Sequence, residues 1–221
     1  MILEHLAALN SSRVILASAS PRRKEILHNV GLRVEVVPST FEENLAKHNF
    51  QGGAAYAQAT ALAKAQEVAR REWPSHDRPR LVIGADTVVE QGKCILEKPA
   101  DANDARKMLS RLSGEQHHVH TGVALIVPSG EGPDHAGVSR SFAGTTCVEF
   151  AELSSCEIAA YIATGECFGK AGAYGIQGPA GTWVRGIQGC YFNVMGFPVH
   201  AFAAEVASLI RAGLIDSQSI V

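Results

Sequence analysis

The segment from Val14 to Leu27 restricts the fold most. Val14-Ile15-Leu16-Ala17 is an unbroken apolar run that reads as a buried strand, and Lys24-Glu25-Ile26-Leu27 reads as helix. Between them lie Ser18-Ala19-Ser20-Pro21-Arg22-Arg23. Ser20 suits an N-cap, and Pro21 is pre-set for the first helical position. The chain must therefore pass from strand through a tight turn straight into a helix. A helix start carries unpaired N–H groups and about half a positive charge. Arg22 and Arg23 oppose that dipole unless an anion joins them, and guanidinium forks match phosphate oxygens. A phosphate site at this turn is one reading; capping alone is the other.

The rest of the chain alternates. Arg33 to Val37 reads as a second strand after Gly31, and Ala54 to Arg71 as an Ala-rich helix. Leu81 to Gly84 reads as a short buried strand ending at Ala85-Asp86-Thr87, with a hairpin from Val88 to Leu96. Asp101 caps a helix whose apolar stripe is Ala102, Ala105, Met108, Leu109 and Leu112. Val119 to Val127 and Val138 to Phe150 are strands around a Gly/Pro/Asp loop, Pro128 to Gly137. Ser154-Ser155-Cys156-Glu157 is a capping box. Gly165 to Gly189 lacks clear periodicity, Tyr191 to Val194 reads as a short strand, and Pro198 opens an amphipathic terminal helix. This is an α/β chain with a mixed sheet. Weakly marked boundaries divide it into an N-terminal extension (1–12), one domain (13–212) and a C-terminal tail (213–221).

Composition excludes several classes. A net charge of −2 provides no basic field for nucleic acid. The five cysteines include no Cys-x-x-Cys pair, which argues against disulfides and thiolate metal sites and for a reducing compartment. No apolar run is long enough to span a membrane, and Met1 to Arg13 is not a signal peptide. The expectation is a cytoplasmic protein without nucleic-acid or membrane partners. A homodimer is plausible from the frequency of dimers among soluble enzymes.

Asp86, at an expected strand end, is a candidate metal ligand or general base, or a cap of its own turn. Glu42 and Glu43 are a solvated pair unless a phosphate lies nearby. Beside one they are candidates for Mg²⁺, which takes one or two carboxylates plus substrate phosphates. Lys98, where Pro99 takes the chain out of the sheet, and Lys170, in Gly169-Lys170-Ala171-Gly172-Ala173-Tyr174-Gly175-Ile176-Gln177, can each neutralise phosphate. Gln177 can read a base edge. His117, His118 and His120 suggest zinc but have no carboxylate or Cys at ligand spacing. Neither a Gly-x-Ser-x-Gly elbow nor a P-loop is present.

Taken in order, Ser18-Ala-Ser-Pro-Arg-Arg23, Gly84-Ala-Asp-Thr87, Leu96-Glu-Lys-Pro99, Leu112-Ser-Gly-x-x-His117-x-Val-x-Thr121-Gly122, Lys170 to Gln177 and Asn193-Val-Met-Gly-Phe-Pro198 resemble the Maf family of nucleoside triphosphate pyrophosphatases. The likeness runs from about Arg13 to about Phe202. It implies the Maf/Ham1 (ITPase-like) fold, an elongated mixed sheet flanked by helices, with two lobes around a substrate cleft. It implies a hydrolase acting on phosphorus-containing acid anhydrides, splitting a nucleoside triphosphate into monophosphate and pyrophosphate. Asp86 matches the family's proton acceptor, and Ser18, Arg22, Glu43, Lys64, Lys98 and Gln177 match its other active-site positions. Arg22, Thr87 and Gln177 match the branch that prefers dTTP and UTP rather than 7-methyl-GTP; modified pyrimidine triphosphates fit equally. Two departures stand out: Gly169 replaces the acid that often precedes the family's late Lys, and the loop Pro128 to Gly137 is long.

On this reading the triphosphate lies along Ser18 to Arg23, with Ser20 and Lys170 among its binding groups. Arg22, Lys64 and Lys98 offset charge, Glu43 and Asp86 hold Mg²⁺ or Mn²⁺, and Asp86 acts on the water. Arg23 is either a second substrate contact or structural. The rival reading is a non-catalytic nucleotide-binding regulatory module linked to cell division.

Overall fold

A computed structural model describes residues 2–73, 77–127 and 137–215. A short helix α1 (Leu6–Asn10) leads into β1 (Val14–Ala17), α2 (Pro21–Asn29), β2 (Glu35–Val36) and the long α3 (Gly53–Glu72). Then come β3 (Leu81–Gln91), β4 (Cys94–Leu96), α4 (Ala102–Leu112), β5 (Gln116–Val127) and β6 (Val138–Phe150). The chain continues with α5 (Ser155–Ala163), β7 (Val184–Gln188), α6 (Tyr191–Met195) and α7 (Val199–Arg211). The strands form one mixed sheet in the order β2-β1-β3-β5-β6-β7, with β4 also on β3. β1 is parallel to β2 and β3; the other pairs are antiparallel. With 11 to 13 residues each, β3, β5 and β6 make the sheet elongated.

Strand alternation divides the β3 side chains between the two faces of the sheet. Leu81, Ile83 and Ala85 join a large cluster with Ile26, Leu27, Phe202 and Val206. Val89 joins a second cluster with Leu109, Leu112, Ile158 and Phe150. Between them on the same face lies Thr87, opposite Thr121 of β5. The cores of the two lobes thus share a sheet face and part at this threonine pair. On the other face, Val82 packs with Ala61 and Ala65 of α3. Contact there is close: a Cβ on Gly84 would lie 2.2 Å from the Ala61 carbonyl, and one on Gly122 would lie 2.3 Å from the Ala57 carbonyl. Glycine at both positions lets α3 lie directly on the strands.

Several local expectations change. The strand expected to end at Asp86 continues as one strand to Gln91, because β5 pairs with it along its length and β4 supports its far end. Only β1 stops there: Ala17 pairs with Gly84, so Asp86 lies just past the point where the neighbouring strand becomes the Ser18 turn. Tyr191 to Val194 is helix, not strand. Gly196, with φ of 111°, closes it, and the Phe197 N–H donates to the Phe192 carbonyl as in a Schellman motif. The buried Asn193 side chain pins it by donating to the Val119 carbonyl and to Thr146 Oγ1. The Gly165 to Gly189 stretch contains β7 and two 3₁₀ turns, and the second strand shrinks to Glu35–Val36. The capping box at Ser154 and Glu157 forms as expected. Ile2 and Leu9 are buried beside Val206 and Leu209 of α7, and Ile215 joins the same cluster. Most of the loop Pro128 to Gly137 (128–136) and most of the tail (216–221) lie outside the described residues.

Candidate active site

A cleft of about 790 Å³ opens where the two lobe cores part. The residues assigned to the nucleotide site from the sequence all line it: Ser18, Ser20, Arg22 and Arg23 from the turn and α2; Glu43; Lys64 from α3; Asp86 and Thr87 from β3; Lys98; Lys170 and Gln177; Glu42 is not among the lining residues. Five cationic side chains face three carboxylates on its walls, a local positive excess on a chain of net charge −2. Such a cleft attracts a compact polyanion.

The α2 start is open. Ser20 occupies the N-cap position with extended φ and ψ, but its side chain caps nothing. Its N–H instead donates to Ser18 Oγ at 3.3 Å. Among the described residues no side chain caps the first-turn N–H groups, which stand at the cleft.

The two adjacent arginines differ in their surroundings. Arg23 donates from Nε to the Gly196 carbonyl at 2.9 Å, from Nη1 to Ser18 Oγ at 2.8 Å and from Nη2 to Thr87 Oγ1 at 2.9 Å. It ties α2, β3 and the end of α6 together across the cleft floor. Burial pushes its pKa below the usual value, against the pull of Asp86. Burial lowers Arg22 too, opposed by Tyr161 and Glu166, yet among the described residues no hydrogen bond holds its guanidinium. A part-desolvated, unheld guanidinium beside a helix start is a strong anion receptor.

Opposite lies an alternating chain of charges. Lys64 Nζ is 2.7 Å from Asp86 Oδ1 and 2.9 Å from Glu43 Oε1, and Lys98 Nζ is 3.5 Å from the same Glu43 oxygen. Lys64 and Asp86 are buried, whereas Lys98 is exposed. Burial raises the Glu43 pKa, but the two lysines outweigh it and hold the carboxyl below its usual value. The close seating of α3 on Gly84 and Gly122 brings Lys64 to Asp86.

Thr87 Oγ1 also contacts Thr121 Oγ1 at 3.0 Å, and Thr121 donates to the Asn193 carbonyl. Gln177 is exposed at the rim. Lys170 is held by Glu166, donating to its carbonyl and lying 2.8 Å from its Oε2. Sequence reading missed Glu166; its spacing of four from Lys170 was the available signal. Phe168, also in the lining, carried no signal at all.

His117 parts from His118 and His120, whose rings stack with centroids 6.0 Å apart. His117 is buried, with Nε2 at 2.8 Å from the Tyr174 hydroxyl, while His120 lies between Glu90 and Thr145. Among the described residues no group of three or more His, Cys, Asp or Glu side chains could hold a metal. The cysteines at 94, 147, 156, 167 and 190 are all free thiols. No helix among the described residues is long and apolar enough to cross a membrane.

Residues 13–209 match the family model described as Maf-like protein. The chain belongs to the Maf family. Among curated Maf relatives, it is 48% identical over 207 residues to the human "Probable bifunctional dTTP/UTP pyrophosphatase/methyltransferase protein". That alignment covers 92% of this chain but 33% of the human protein, so the chain spans about a third of that relative's length. It is 46% identical over 189 residues to a "dTTP/UTP pyrophosphatase" of Clostridium perfringens, covering 85% of this chain and 92% of the relative. A "dTTP/UTP pyrophosphatase" of Geobacillus is 43% identical, with 89% and 98% covered. The mixed sheet between flanking helices is the architecture expected of a Maf protein.

Proposed function

We propose that this chain hydrolyses dTTP and UTP to the nucleoside monophosphate and pyrophosphate. The observation that carries the reading is the pairing of an open helix start with the chain Lys98–Glu43–Lys64–Asp86 in one cleft. The names of the relatives support the substrate.

The triphosphate lies along Ser18 to Arg23, where the α2 N–H groups, the Ser18 and Ser20 hydroxyls and Arg22 meet its oxygens. Lys98 and Lys170 offset charge on the leaving pyrophosphate. Asp86 orients a water at the α-phosphorus. As the new P–O bond forms and the α–β bridging bond breaks, Asp86 accepts the water's proton and pyrophosphate leaves with the electron pair of that bridge. Lys64 occupies Oδ1, which fixes the carboxylate and leaves Oδ2 for this task. Arg23 braces the floor through Ser18, Thr87 and Gly196 rather than reaching for substrate. Thr87 and Gln177 border the space for the base.

Glu43 and Asp86 suit a divalent ion that arrives with the nucleotide. Their remaining oxygens and the triphosphate form the all-oxygen set that Mg²⁺ or Mn²⁺ takes. Once bound, such an ion neutralises phosphate charge and makes water a better nucleophile at neutral pH. With Lys64 between the carboxylates, they do not form a protein-only cage.

The test is pyrophosphate release from dTTP, UTP, CTP and 7-methyl-GTP with Mg²⁺ or Mn²⁺. Release from dTTP and UTP ahead of the others is expected. Release from none would refute the enzyme and favour a nucleotide-binding module.

A further inference from the structure

The residues assigned so far account for a triphosphate and for polar groups near the base, but none receives the flat face of a pyrimidine. Two aromatic side chains line the cleft. Tyr174 is committed elsewhere: it is 5% exposed, its ring packs 4.7 Å from that of Phe150, and its hydroxyl is bound to His117. Phe168 is 45% exposed and no ring contact involves it among the described residues. The apolar lining residues Val89, Val119 and Met195 belong to the lobe cores. Phe168 is thus an apolar face left open within a charged cleft.

Its surroundings hold it there. The Phe168 N–H donates to the Gly165 carbonyl at 3.2 Å. Lys170 clasps Glu166 across it, from two residues after to two residues before. Gly169 follows with φ of +69°, and a Cβ there would meet nothing within 4 Å. Backbone conformation, not space, therefore favours glycine at 169. The clasp places an anion-binding ammonium and an open aromatic ring on one short loop, and a nucleotide supplies both an anion and a π face.

Resting on the dTTP/UTP reading above, we infer that Phe168 is the base platform of this cleft and stacks on the pyrimidine ring while Lys170 engages the phosphates. Stacking depends on the ring face and not on the hydrogen-bonding edge, so it anchors the base and leaves its selection to polar groups at the rim.

The test is calorimetric titration with non-hydrolysable α,β-methylene-UTP and, as a phosphate-only probe, inorganic tripolyphosphate. Phe168→Ala should weaken the UTP analogue roughly 5- to 150-fold, the range for one base–aromatic stack, and leave tripolyphosphate affinity unchanged. Phe168→Leu should stay weak, and Phe168→Tyr should restore binding. In Phe168→Trp, the new indole fluorescence should change when the analogue binds and not when tripolyphosphate binds. Wild-type affinity for the analogue in the Ala or Leu variant would overturn the platform and leave the pyrophosphatase reading standing. So would equal weakening of both probes. A wild-type protein that binds tripolyphosphate but not the analogue would overturn the nucleotide reading and the platform together.

Discussion

Replacing Lys64 with methionine tests the charge chain directly. Methionine keeps most of the volume of the stem, so the change removes a charge without opening a large cavity. Lys64 and Asp86 have side chains only 9% and 7% exposed, and Nζ lies 2.7 Å from Oδ1. Glu43, at 35% exposure, loses a contact worth about 0–1 kcal/mol. Asp86 is left as a buried acid without its cation, the situation that costs about 3–5 kcal/mol. The expected loss is therefore about 3–6 kcal/mol, most of it carried by Asp86. For a chain of this size that lowers the melting midpoint by about 6–24 °C. Urea unfolding and calorimetry at pH 7 measure it. The double variant Lys64→Met/Asp86→Asn should recover much of the loss, because no charge is then orphaned. An unchanged midpoint in the single variant, or a double variant less stable than Lys64→Met, would refute the reasoning.

Asp86→Asn should cut pyrophosphate release about 10²- to 10⁴-fold with nucleotide affinity largely kept; near-normal turnover would remove Asp86 from the chemistry. Arg22→Ala should raise KM for the triphosphate at an unchanged melting midpoint. Arg23→Ala should destabilise the fold by about 2 kcal/mol or more, because each hydrogen bond to a charged donor contributes about 1.5–3 kcal/mol. Equal melting shifts for the two arginines would contradict the distinction drawn between them. Burial pushes the His117 pKa down to about 4 from 6.5, and the like charge of His118 adds to the shift. The unfolded chain therefore binds the extra proton first. The stability from neutral His117 is complete above pH 6.5 and is lost as pH falls toward 4, by about 3 kcal/mol in all. Urea unfolding across that window should show wild type losing about that much more than His117→Gln, and identical slopes would refute it.

Short-range chemistry was legible in the sequence. Pro21 at the first helical position, the Ser154–Glu157 box and the apolar stripe of α4 involve residues within a turn or two of each other; all three form, the stripe from Ala105 to Leu112 with Ala102 left exposed. Long-range pairing was not. The end of the Asp86 strand was misplaced because the local pattern marks where one neighbour leaves, not whether another continues. α6 was misread because its apolar residues fit either state. Gly196 and the buried bonds of Asn193 decide for helix, and the partners of Asn193 lie 74 and 47 residues away.

The sequence by itself determined that Val14 to Leu27 is a strand, a turn and a helix start with two arginines on it, and its ordered motifs pointed to the family. Tertiary structure alone decided what each charge meets. Adjacent residues on a helix point about 100° apart. One guanidinium therefore meets Ser18, Thr87 and Gly196, while its neighbour stays free at the cleft. In the same way α3 rests on two glycines, and that close seating puts the Lys64 ammonium between two carboxylates.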